Sequence, residues 1–403
     1  MSDGPVTLSR VAREAGVSLA TASRAINGSA TRTVRPELRD RVMAAAQRLG
    51  YVPDPSAQAM ARGRTAALGL VVHDIADPYF SAIASGVMRA AEAEGVIVTL
   101  ASTQLRPERE RAFVELVSRQ RGRAVILAGS RVAPGAGSPD AAPDLEGTLT
   151  SFRDSGGGVA TIGQPIGDLP VVEIDNAGGA AALARELDRL GYRRFAVLSG
   201  PANLRTAADR STGFRDALTS LGRTVRDDDV VPGEFTRDGG YAAMTELIAR
   251  SGKAAGGDGD GDGSLPELVF AVNDVMAVGA MAAVRDAGLR VPDDVAVAGF
   301  DDIPTLRDVV PALTTVHIAL ERIGEAATRL ALGVPAGLDA GRGSGAGTAE
   351  GPDARPGSGA ATTEGPEAEP GSGAGTAEGL ESTAPGSVLV HGEVVLRAST
   401  PGR

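Results

Sequence analysis

The chain has 403 residues, 42% of them hydrophobic, which is material for two or three compact units with sizeable cores. It contains no cysteine, which excludes disulfides, thiolate metal sites and cysteine nucleophiles. The net charge of −11 is unevenly placed: residues 1–64 carry ten arginines against five acids, or +5, leaving −16 on the remainder. A basic head on an acidic body suits a head that meets phosphate and a body that repels it. No run approaches the roughly 18 apolar residues of a membrane span and no apolar export block opens the sequence, so no membrane association and a cytoplasmic location are the expectation.

In chain order, Thr7 stands as an N-cap before Leu8, Val11, Ala12 and Ala15, which share one helix face, and Gly16 ends that helix. Ser18 caps a second helix through Ile26, closed at Asn27-Gly28, so two short helices flank a tight turn. Ala12, Ala15, Val17 and Ala22 are small enough for helices crossing steeply, which leaves Leu19, Ala20, Thr21, Ser23, Arg24 and Asn27 facing outward. In a DNA major groove Arg24 can donate two bonds to guanine and Ala20 can meet a thymine methyl, while Thr21, Ser23 and Asn27 can anchor phosphates. A third helix is expected over Glu37–Leu49, with Pro36 in its first turn.

The run from Val6 to Asn27, followed by Leu49-Gly-Tyr-Val-Pro53, closely resembles the headpiece of the LacI/GalR (lactose-repressor) family of transcriptional regulators. The resemblance implies that Thr7, Ser18, Leu19 and Tyr51 also contact DNA. It further matches Ser56–Gly63 to the family's hinge helix, with Gln58 on DNA and Met60 standing where a minor-groove leucine is usual. The loop from Asn27 to Val34 is about two residues longer than the family pattern and ends in Arg35, where a small capping residue is frequent.

From Ala67 apolar strands alternate with helices: strands at 68–72, 96–101 and 124–127, with helices near 80–94 and 107–119. A second series follows, with strands at 194–199, 268–272 and 295–299 and helices near 210–221, 238–250 and 274–287. Such alternation predicts parallel sheets covered by helices, hence two Rossmann-like lobes with a ligand cleft at the strand ends. The resemblance continues through Asp77–Phe80, Val172–Asn176, Arg210–Phe214, Phe270–Asp274, Gly299–Asp302 and Leu313–Val316. It implies an all-α helix-turn-helix headpiece (1–52), a hinge (53–65) and an α/β two-lobed, periplasmic-binding-protein-like effector and dimerisation domain (66–403). By motif position it places Tyr79, Phe80, Thr206, Arg210, Phe235, Asn273 and Asp301 against a small, sugar-like effector. Asn273 could equally cap a helix and Phe80 could be core. Gly163, Ile318 and Leu320 stand where relatives often carry polar or aromatic contacts.

Residues 336–386 hold a 14-residue repeat beginning at Gly343, Gly357 and Gly371, with eight acids, two arginines and only Leu338 and Leu380 as large apolar residues. Disorder is expected for such a segment. After it, Ser387–Thr400 reads as a terminal strand region. The run Asp258–Gly263 imitates a calcium loop, but Val269 occupies the twelfth position, where a glutamate is required. His73, His317 and His391 show no metal spacing, and no cofactor or catalytic constellation is evident. The expectation is a homodimeric repressor that binds near-palindromic operator DNA and responds to a small molecule. A transport receptor or a Rossmann-type enzyme is the alternative from another class.

Overall fold

The computed structural model describes residues 6–27, 33–52, 64–131, 144–251, 265–334, 380–384 and 386–403. Gln58, Met60, the loop 28–32 and the run 258–263 lie outside them. The headpiece is built of α1 (Leu8–Glu14), α2 (Leu19–Asn27) and α3 (Pro36–Leu49). Its core is made of small side chains, Val11, Ala12, Ala15, Ala22, Ala25, Val42, Ala45 and Ala46, which let three short helices approach closely. Gly16 takes φ +62° at the turn, and Arg41 donates to the Ala15 carbonyl, so α3 satisfies a group at the end of α1. Thr7 holds the N-cap position of α1 without a side-chain bond, whereas Ser18 Oγ does accept the Thr21 N–H at 3.1 Å.

The body has two lobes. In the first, β1 (Ala67–Val72), β2 (Ile97–Ser102), β3 (Ala124–Gly129), β4 (Gly158–Gly163), β5 (Val171–Ile174), β11 (Leu380–Ala384) and β12 (Ser387–Val390) form one sheet in the order β11-β12-β5-β4-β3-β1-β2. Every neighbouring pair is parallel except β11 and β12. The end of the repeat segment is therefore a strand: residues 380–384 add an antiparallel edge, which corrects the expectation of disorder up to 386. Residues 335–379 lie outside the described set. Helices α4 (Pro78–Ala93), α5 (Pro107–Arg119), α6 (Leu145–Asp154) and α11 (Leu320–Leu332) cover this sheet.

Gly86 and Gly324 bring α4 and α11 together with no room for side chains. A Cβ on Gly86 would fall 1.9 Å from the Glu321 carbonyl oxygen, and one on Gly324 2.2 Å from that of Ile83. Arg89 reinforces the pair by reaching Glu321 and Glu325.

In the second lobe, β6 (Phe195–Leu198), β7 (Val230–Val231), β8 (Leu268–Ala271) and β9 (Ala296–Ala298) make a parallel sheet ordered β7-β6-β8-β9. It is flanked by α7 (Asn176–Arg189), α8 (Arg205–Ser220), α9 (Arg237–Arg250) and α10 (Asp274–Asp286). Helix α8 starts at Arg205 rather than near 210, so Thr206 and Arg210 share it. A small antiparallel pair, β10 (Thr315–His317) with β13 (Glu393–Val395), stands where the chain changes lobes. The chain crosses between β5 and α7, between β10 and α11, and between β12 and β13. Ile318 and Leu320, at one of these crossings, are 1% and 5% exposed and belong to the core, which accounts for their apolar character.

Candidate functional site

The outward surface of α2 is polar and accessible. Leu19 is half exposed, Ser18 and Ala20 are exposed, and Thr21, Ser23, Arg24 and Asn27 are partly so. Arg24 Nε donates to the Ala20 carbonyl at 3.0 Å, which steadies the side chain along its helix and leaves both terminal amino groups for an external acceptor. Asn27 Nδ2 donates to Ser23 Oγ at 3.2 Å. Thr7 is exposed, and Tyr51 packs partly against the headpiece core.

In the body, the strand ends bring together a polar centre built on Arg210. This residue is 1% exposed, and its Nε donates to Asn176 Oδ1 at 2.8 Å, Nη1 to the Val272 carbonyl at 2.9 Å and Nη2 to Asp301 Oδ1 at 2.7 Å. The guanidinium also lies 3.8 Å from the centre of the Phe300 ring. In the first lobe Asp77 caps α4, its Oδ1 accepting the Tyr79 N–H at 2.9 Å, and the Tyr79 ring stands edge-on to Phe80 with centres 5.0 Å apart. Burial raises the Asp77 carboxyl to about 6, with the neighbouring Asp301 and Asp74 charges adding to it. Burial likewise raises the Tyr79 hydroxyl and the Asp301 carboxyl, the latter against the pull of Arg210.

Three hydrogen bonds tie the lobes where α8 begins. Gln164 Nε2 donates to Thr206 Oγ1 at 2.8 Å, the Thr206 N–H donates to Ser130 Oγ at 3.0 Å, and the Arg205 N–H donates to the Arg131 carbonyl at 3.1 Å. Phe235 leans on the end of β6, where a Cβ on Gly200 would meet its ring at 3.1 Å. Asn273 acts as the cap of α10, its Oδ1 accepting from the Met276 N–H at 2.9 Å. Phe80 sits in the core beside His73, with ring centres 5.5 Å apart. Asp274 is structural: its oxygens accept from Thr315 Oγ1 at 2.7 Å and the Ile303 N–H at 3.0 Å, and burial, with the Asp301 charge, pushes its carboxyl up to about 7.

The structure thus joins Arg210 to Asp301, sets Thr206 in the bonds between the lobes, packs Tyr79 edge-on against Phe80, and gives Asn273 and Phe80 structural duties. Asn176, Gln164 and Ser130 are the partners that sequence reasoning missed. Each follows directly on a strand of the first lobe or on the residue after one, so the strand-end rule would have found Gln164 and Asn176 had β4 and β5 been recognised. Gly163 is explained by the backbone: it takes φ +110°, and a Cβ there would stand 3.1 Å from the Gly129 carbonyl oxygen. The next residue, Gln164, supplies the polar group. Among the described residues no cluster of His, Asp and Glu could hold a metal ion, and no helix is long and apolar enough to cross a membrane.

A helix-turn-helix head joined to a two-lobed α/β body with a buried polar centre defines a DNA-binding regulator with a ligand-binding domain. Residues 7–54 match the family described as bacterial regulatory proteins, lacI family, and residues 184–340 match the periplasmic binding protein-like domain. The chain is 34% identical to the HTH-type transcriptional regulator GalS of Salmonella typhimurium, over 82% of this chain and 91% of that protein. It is 33% identical to the HTH-type transcriptional repressor PurR of Erwinia tasmaniensis, over 81% and 89% respectively. A solved complex of the regulator CelR with cellobiose superimposes with a TM-score of 0.59 at 27% identity, covering 98% of this chain and 99% of that one. A lac repressor dimer on operator DNA shares the fold with a TM-score of 0.68 at 21% identity, covering 98% and 99%. The chain belongs to the LacI family of bacterial transcriptional regulators.

Proposed function

We propose that this protein is a homodimeric repressor whose operator affinity is set by a small molecule in the interlobe cleft. The observation that carries the reading is the pairing, in one chain, of an accessible α2 face bearing Arg24 with a buried Arg210–Asp301 centre spanned by interlobe bonds. Residues 1–52 are the reader, 53–65 the hinge and 66–403 the sensor. In the reader, Arg24 addresses guanine, Ala20 and Leu19 meet apolar base edges, and Thr7, Ser18, Thr21, Ser23, Asn27 and Tyr51 hold the backbone. Gln58 and Met60 are assigned to the operator's minor groove.

In the sensor, Arg210 and Asp301 offer a donor and an acceptor to hydroxyl groups, Thr206 closes over them, and Tyr79 and Phe235 frame the ligand, with Phe80 and Asn273 supporting from the core and the helix cap. The ligand class is a sugar or related polyol, in keeping with the cellobiose named for the CelR complex. Dimerisation is assigned to the β2 edge. Ile97 there is 73% exposed and Leu100 38%, and Met88 on the adjoining α4 is 52% exposed, an apolar edge that a second copy would cover.

Selection from a random duplex pool tests the reading. The expected outcome is enrichment of one near-palindromic sequence by a species that sediments as a dimer. Recovery of duplexes with no common sequence would sink the repressor assignment.

A further inference from the structure

At the end of β3, against the start of the helix that carries Arg210, Arg131 holds an arrangement that the fold leaves unexplained. Its backbone is fixed in the lobe seam, the N–H donating to Gln164 Oε1 at 2.8 Å and the carbonyl accepting from Arg205 at 3.1 Å. Its Nη1 donates to Glu110 Oε2 at 2.6 Å, and Glu110, 5% exposed, stands between Arg131 and His73, whose Nε2 is 3.7 Å from Oε1. His73 is held over the end of β3 because Gly129 has no side chain; a Cβ there would lie 2.5 Å from the imidazole.

Glu110 thus engages one end of the guanidinium and leaves the other edge. Nε and Nη2 of Arg131 are both buried and have no hydrogen-bond partner among the described residues. A buried unsatisfied donor forfeits its hydration with nothing in return, and a native fold rarely leaves two on one group without a function. The two atoms form the side edge of the guanidinium, where two N–H bonds run parallel. That edge matches two oxygens on one carbon or phosphorus, which a hydroxyl or a single carbonyl cannot supply.

We propose that the cleft ligand carries an oxyanion, a carboxylate or a phosphate, received by the Nε–Nη2 edge of Arg131. The proposal rests on the cleft being the effector site. The Asp301 carboxylate on Arg210 is an acceptor for hydroxyl donors, so the ligand class that satisfies it and Arg131 together is an acidic sugar: a sugar acid or a sugar phosphate. Glu110 fixes the guanidinium plane from the opposite end and makes Arg131 a preset fork rather than a mobile surface cation.

The test compares glucose, glucuronate and glucose 6-phosphate at equal concentration and ionic strength, by thermal shift and by release of the selected operator. The proteins are the full wild-type chain, R131K and R131Q. R131K keeps an ammonium for Glu110 while removing the fork, and its ligand-free midpoint reports that it folds. The expected result is stabilisation and operator release by glucuronate or by glucose 6-phosphate, which identifies the anion, with little effect of glucose. R131K and R131Q should weaken that response about tenfold or more. Equal responses to all three compounds, no response to either acid, or an acid response that R131K retains would each overturn the proposal. If an acid binds through Arg131 yet leaves operator affinity unchanged, the anion site stands and the effector reading of the cleft falls.

Discussion

Gln164 on the first lobe donates its side-chain amide to Thr206 Oγ1 on the second over 2.8 Å, and Gln164 Oε1 at the same time accepts the Arg131 N–H. One amide thereby links the seam and the proposed anion fork. Thr206→Val removes the acceptor while keeping the side-chain volume. The loss of about 1 kcal/mol shifts the lobes about fivefold toward the open form. Because the chain has no native cysteine, spin labels on cysteines placed at the exposed Glu108 and Asp238 will read the distance directly. A longer ligand-free distance in Thr206→Val is expected, and an unchanged distribution would show that the bond does not govern closure.

Arg210 and Asp301 are both buried, so Arg210→Ala is more than a binding mutant. It strands Asp301 without a counter-charge and should lower folding stability by about 3–5 kcal/mol in urea denaturation. The double variant Arg210→Met, Asp301→Asn should lose less than the two single changes together, by about 1–3 kcal/mol. Strict additivity would mean that the pair is not coupled as its 2.7 Å contact requires.

The sequence made much of this arrangement legible, and the reasons for the gaps are physical. β1, β3 and β8 are uninterrupted apolar runs buried on both faces, and such runs are read easily. β4 is broken in pattern by Thr161, which is fully buried yet polar and lies next to the Gln164 and Pro170 carbonyls. Helix α7 carries Gly178 and Gly179 in its first turn, poor helix formers that weaken the local signal; a Cβ on Gly179 would strike the Phe300 ring at 2.9 Å. The Arg210–Asp301 contact spans 91 residues, a separation that no local pattern encodes; the strand end pointed to Asp301, and family resemblance to both residues. Arg131 gave no signal, since a lone arginine after a strand resembles any solvated charge. The Leu380–Ala384 strand was hidden because its one large apolar residue follows a long Gly- and Ala-rich repeat.

His317 lies at a lobe crossing, and its Nδ1 is 3.0 Å from Asp302 Oδ2, while Arg397 reaches Asp302 Oδ1 at 2.7 Å. The Asp302 hydrogen bond holds the imidazole above its ordinary 6.5, with the Glu393 charge assisting and burial and Arg397 opposing. The raised value means that the protonated ring stabilises the fold. That contribution is complete below pH 6.5 and is lost as pH rises through the folded-state value. His317→Asn should therefore lower the unfolding midpoint more at mildly acid than at alkaline pH. A difference from wild type that does not change with pH would rule out this linkage.

Arg24→Ala should weaken binding to the selected operator by about 1–3 kcal/mol and relax the preference at one base pair. Binding to random duplex should fall only slightly, because phosphate contacts remain. An unaltered base preference in a repeated selection would contradict the role given to Arg24.

Fluorescence anisotropy of the selected operator, titrated with the full chain with and without the acidic sugar that stabilises it, tests the central claim most directly. The account predicts specific binding much tighter than to random duplex, falling steeply with salt, and a ligand-induced change in operator affinity that Thr206→Val and R131K diminish. Operator affinity that no cleft ligand alters, or equal affinity for operator and random duplex, would contradict it.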